Sequence, residues 1–96
     1  MNEQLVDWII RFQRDKDIEA LSHLKDYCYE MIEPLMEEFT MKYGEEAGEL
    51  LRVKWDKRFY FIFTKYQVNV GLPLETFVKN TYRFYFMQVL QKAGYQ

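Results

Sequence analysis

Only six positions in the chain of 96 residues are occupied by the strongest breakers of regular structure, four Gly and two Pro. A many-stranded β fold needs a turn every few residues and draws heavily on those two types, so this chain is expected to run in long helices. One stretch shows the matching pattern. Leu51, Trp55, Phe59, Ile62 and Tyr66 follow at steps of four, four, three and four, the seam of a helix with one buried face.

The same periodicity divides the chain into four helices. The first, from Met1 to Arg14, sets Leu5, Ile9 and Phe12 in line, with Val6, Trp8 and Ile10 widening the stripe. Asp15, Lys16 and Asp17 break it, and Asp17 is placed to cap a second helix from Ile18. That helix carries Ala20, Leu21, Leu24, Cys28, Met31 and Ile32 on one broad face. Pro34 removes a backbone donor and disfavours helix at Glu33, so a kink or a fresh start is expected there. Leu35, Met36, Phe39 and Tyr43 continue the stripe to Gly44, a C-cap. The third helix is expected from Glu45 to about Tyr66, then a loop over Gln67 to Leu72 containing Gly71. Pro73 suits the first turn of a last helix ending near Lys92. Its apolar positions, Leu74, Phe77, Val78, Phe84, Phe86, Val89 and Leu90, wrap more than one face. The third and fourth helices are expected to pack through Phe59, Ile62, Phe63, Phe77 and Phe84. The expected fold is therefore all-α, one compact four-helix domain over residues 1–96.

Composition narrows the setting. Hydrophobic residues at 49% and charged residues at 29% belong to a globular chain. A single Cys excludes an internal disulfide and a Cys-rich zinc site, and permits a reducing cytoplasm. The first residues lack the basic n-region of a signal peptide. The longest uncharged run, Tyr66 to Leu74, falls far short of the ~18 apolar residues of a membrane span. A soluble, cytoplasmic protein is expected. The net charge of −2 conceals two unlike halves. Met1 to Leu51 holds 13 acids and 5 bases, a net of −8, while Arg52 to Gln96 holds 2 acids and 8 bases, a net of +6. The basic half is also the aromatic half. Such a half suggests a nucleic-acid surface and the acidic half a basic protein partner, although split charge on solvated faces with aromatics in the core gives the same composition.

Enzyme chemistry finds little footing. His23 and Cys28 lie about 140° apart around a helix, which does not make a nucleophile–base pair. No His or Cys pair has metal-ligand spacing, and Gly44, Gly48 and Gly71 are isolated, without a phosphate-cradling loop. Adjacent carboxylates such as Glu37-Glu38 and Glu45-Glu46 point ~100° apart and read as a solvated face. Neither an enzyme, a metal site nor a cofactor is expected.

From Phe63 onward, Phe63-Thr64-Lys65-Tyr66, a loop with Gly71, and Leu74-Glu75-Thr76-Phe77 together resemble region 2 of bacterial sigma factors. In that family a helix ends in an apolar-x-Lys/Arg-aromatic run, a short loop carries a Gly, and an aromatic-x-Thr-aromatic helix start follows. Those elements stand at similar spacing here, with Leu74 in place of the first aromatic. Arg83 falls where the promoter-reading helix of the family keeps an Arg. Asn80 and Thr81 stand in place of the paired tryptophans of primary-type factors, and Phe84 and Met87 in place of polar base-reading residues.

The resemblance implies a transcription initiation role: binding to RNA polymerase core, and help in recognising or opening the −10 promoter element. Glu45, Glu46 and Glu49 would dock on a basic polymerase surface. Lys65, Lys79, Arg83 and Lys92 would approach phosphates, and Tyr82 and Tyr85, if exposed and not packed in the core, would stack on single-stranded bases. The chain ends after region 2, which implies a split or truncated sigma factor with a second sigma-like chain supplying the missing half. Two other readings stay open. One is a helical protein-binding regulator without DNA contact; exposure of Tyr82, Arg83 and Lys79 on one ridge would favour the sigma reading, and their burial the regulator. The other is a small-ligand bundle with a cavity among Phe59, Phe63, Phe77 and Phe84.

Overall fold

A computed structural model of the chain describes residues 3–68 and 71–95. Residues 1 and 2 of the expected first helix, and 69 and 70 of the expected loop, lie outside the described residues. The described chain forms four helices, α1 (Glu3–Asp15), α2 (Ile18–Tyr43), α3 (Glu45–Lys65) and α4 (Leu74–Lys92). The all-α expectation holds, with helix ends within a residue or two of those read from sequence.

Local chemistry sets the boundaries. The Asp17 carboxylate accepts from the amides of Glu19 at 3.0 Å and Ala20 at 3.2 Å, satisfying two orphan donors of α2. The same carboxylate takes the Arg11 guanidinium of α1 at 2.8 Å, so one side chain starts α2 and ties α1 to it. Gly44, at φ 103°, ends α2 and donates its amide to the Thr40 carbonyl at 2.7 Å. A side chain there would strain the backbone, so glycine makes the one-residue corner into α3. At the far end of α3, Gln13 of α1 donates to the carbonyls of Phe63, at 2.9 Å, and Tyr66. The Tyr66 hydroxyl in turn donates to the Leu72 carbonyl at 3.0 Å, bracing the approach to α4.

Helix α2 is the centre of the bundle and packs on α1, α3 and α4. The seam read from sequence is buried at Leu51, Phe59, Ile62 and Tyr66, with Trp55 half-buried. Phe12, Phe59, Phe63, Tyr82 and Phe86 are fully buried, and Phe59 and Phe63 lie 4.6 Å apart between ring centroids. No polar side chain among the described residues is buried without a partner.

Two expectations need correction. Helix α2 continues through Pro34, so of the kink or fresh start expected there the fresh start is overturned. Pro34 is exposed, so water can satisfy the carbonyl one turn earlier that loses its donor, and the apolar stripe on both sides holds the helix together. Phe84 does not join the packing of α3 on α4; it is 65% exposed. With Phe84 outside, the four phenylalanines cannot enclose a ligand cavity.

Candidate docking and nucleic-acid surfaces

Helix α4 buries Leu74, Val78, Tyr82, Phe86 and Leu90, five residues at steps of four. Tyr82 is thus the middle knob of a core seam. Its ring has no solvent exposure, and its hydroxyl donates to the Trp55 carbonyl of α3 at 2.8 Å. Burial raises the pKa of this phenol, with a smaller push from Cys28. The role of a base-stacking Tyr82 is overturned: no face of the ring is open to a base.

The neighbouring cations are exposed but occupied. Lys79 Nζ lies 2.6 Å from the Glu75 carboxylate, one turn earlier on α4. Arg83 forms a two-pronged contact with Glu38 of α2, at 2.6 and 3.3 Å. That guanidinium holds the Glu38 carboxyl below the usual carboxylate range. Tyr85 is half-buried, and Arg58 sits 5.1 Å from its ring centroid, a cation–π contact. Burial raises the Tyr85 pKa, opposed by Arg58. Lys65 and Lys92 are exposed and form no ion pair among the described residues. The structure therefore separates the five residues read as a nucleic-acid site: Tyr82 goes inward, Lys79 and Arg83 face α2 carboxylates or their own helix, and Lys65 and Tyr85 belong to the α3–α4 side.

The acidic trio is arranged differently. Glu45, Glu46 and Glu49 occupy the first turns of α3, all exposed, with no ion pair among the described residues. Negative charge is favourable there because the first amides of a helix carry partial positive charge. Gly48 brings this end of α3 tightly onto α2: a Cβ added to it would lie 2.1 Å from Thr40 Oγ1. The carboxylates are consequently carried on rigid backbone at the α2–α3 corner.

Sequence reading missed a third feature. Phe61 and Phe84 are 59% and 65% exposed, and flank a groove between α3 and α4 whose floor includes buried Ile62 and half-buried Phe77. Arg58 and Lys65 line the same groove, and no carboxylate does. The signal was present: both phenylalanines fall off the buried seams of their helices, and α4 carried more apolar residues than one face needs.

The remaining reactive side chains have structural surroundings. His23 is exposed and stacks on Trp8, with ring centroids 4.7 Å apart and planes 12° from parallel. Cys28 is buried, which pushes its thiol up to about 12, far from a reactive thiolate. No group of metal-ligating side chains is found among the described residues, and no helix there is long and apolar enough to cross a membrane. No family model, curated protein or solved structure matches this chain.

Proposed function

We propose that this chain is a helical docking module of the transcription machinery that binds a basic surface of RNA polymerase core through Glu45, Glu46 and Glu49. One observation carries the reading. These three carboxylates are exposed, outside the ion pairs found among the described residues, and gathered on the first turns of one helix, whereas the other exposed acids outside ion pairs, Glu3, Glu19, Asp26, Glu30 and Glu37, are spread along α1 and α2. Free charge on rigid backbone costs little to order on binding and steers a partner of opposite sign. RNA polymerase as that partner is supported by the sigma-like run from Phe63 to Phe77.

Direct reading of single-stranded −10 DNA has less support. Tyr82 is inside the core, and Lys79 and Arg83 are neutralised by Glu75 and Glu38. Of the three residues whose burial separates the two readings, Tyr82 is buried, as a protein-binding regulator requires, while Lys79 and Arg83 stay exposed with their charges paired. The deciding experiment is binding of the chain to immobilised polymerase core at low and moderate salt. Changing Glu46→Lys together with Glu49→Lys should weaken it at least tenfold, with the helical spectrum unchanged. Equal binding by the double variant at both salt concentrations rejects the acidic corner as the docking surface.

A further inference from the structure

The exposed apolar groove between α3 and α4 is a surface the acidic corner does not use. We infer that it is a second docking site, and that its occupant is an acidic amphipathic helix of a partner protein. This inference stands on other residues than the acidic corner and does not depend on polymerase being the partner.

Apolar chemistry defines the socket. Isolated exposed hydrophobics are ordinary, but here Phe61 of α3 and Phe84 of α4 stand on opposite rims of one groove, over a floor of Ile62 and Phe77. The groove has a volume of about 210 Å³. That is below the ~300–1,000 Å³ of a small-molecule site and suits inserted side chains instead. A helix delivers such side chains as anchors three or four residues apart, the usual mode of helix-in-groove recognition.

Charge defines the partner. Arg58 and Lys65 are seven residues apart on α3, two turns on one face and ~10 Å along the axis. Neither is in an ion pair among the described residues. After Asp56 the chain has one acid, Glu75, and that acid is held by Lys79. The field over the groove is therefore positive and unopposed by any lining residue. An apolar stripe flanked by carboxylates two turns apart complements it in both respects.

A single-stranded nucleic acid fits less well. Stacking needs open ring faces in succession, whereas Phe61 and Phe84 are parted by the groove and Tyr85 is half-buried beneath the Arg58 guanidinium.

The test uses the full chain and a displayed library of random 16-residue peptides, with selected sequences then measured by fluorescence anisotropy. The expected selection is acidic and helix-forming, with two large apolar residues three or four apart. Its affinity should fall at least tenfold with Phe84→Ala, and again with Arg58→Glu plus Lys65→Glu. All three positions are exposed, so the variants should keep the wild-type helical spectrum. Peptides without acidic character, or equal binding to the variants, overturn the inference. Binding of a labelled 20-nucleotide oligo-dT that Phe84→Ala abolishes overturns it in favour of a nucleic-acid surface. Concentration-dependent self-association that Phe84→Ala abolishes overturns it in favour of a second copy of this chain.

Discussion

Tyr82 and Gly48 are the two positions where a single atom decides the most. The Tyr82 hydroxyl ends 2.8 Å from the Trp55 carbonyl in a site without solvent, so the ring and its polar tip are both satisfied inside the core. Tyr82→Phe should cost about 1 kcal/mol by deleting that bond, and Tyr82→Ala about 3–5 kcal/mol by opening a cavity. Urea unfolding reads both; a Phe variant as stable as wild type removes the bond from the account. Gly48 poses the opposite question, since Ala is normally the better helix former by ~1 kcal/mol. Here the new Cβ would lie 2.1 Å from Thr40 Oγ1 and 3.0 Å from Thr40 Cβ. Rotating the stiff, β-branched Thr40 about χ1 leaves its Cβ in place, so the crowding persists. Gly48→Ala is expected to destabilise by ~1–3 kcal/mol, and Thr40→Ala in the same chain to recover part of the loss. Additive effects of the two changes in a double-mutant cycle exclude the contact as the cause.

At the scale of elements, the sequence was most informative where the pattern was one-sided. The Leu51-to-Tyr66 seam, the Asp17 cap and the Gly44 corner could all be read because each is local: periodicity, a side-chain acceptor next to orphan amides, a residue free to take positive φ. Helix α4 was harder because two sets of aromatics share it. Leu74, Val78, Tyr82, Phe86 and Leu90 step by four, a seam that favours Tyr82 as core, yet Tyr82 also sits beside Lys79 and Arg83 in sequence. Only the facing helices decide which set turns inward, and the partners of the cations, Glu38 above all, are far away in the chain. The helix does not restart at Pro34 for a similar reason, since the cost of the proline is local but the packing that outweighs it is not. The Asp17 junction carries its own expectation. Its pKa is lowered by the hydrogen bond from Arg11 first and by the Ala20 amide next. A carboxyl lowered on folding stabilises the protein above its unfolded pKa, roughly 3.9 for Asp, and loses that contribution as pH falls through the folded value. Asp17→Asn keeps the cap acceptor and removes the charge, so its melting temperature should lie below wild type at pH 7 and converge with it in acid. A constant gap down to the acid limit contradicts the linkage.

For the whole molecule the decisive quantity is how much of its charge is left over for a partner. Four cations, Lys65, Lys79, Arg83 and Lys92, are candidates for phosphates, and all four together give a slope of log affinity against log salt of about −3 on single strands, at ~0.7 per contact. Intramolecular pairing takes Lys79 and Arg83 out of that set. The slope for the chain alone should then be about −1.4, the value for the two remaining contacts, with weak binding at physiological salt. The carboxylates responsible can be removed without touching the cations. Glu38→Gln with Glu75→Gln frees Arg83 and Lys79, and should steepen the slope toward −3 while leaving the acidic corner at Glu45, Glu46 and Glu49 intact. The proposed polymerase binding should hardly change in that variant, because the exposed acids assigned to it are elsewhere on the fold. Oligo-dT affinity followed from 20 to 200 mM salt tests the pair of expectations. A wild-type slope near −3 would mean that the internal ion pairs open readily for phosphate, returning the α4 ridge to a role in strand contact.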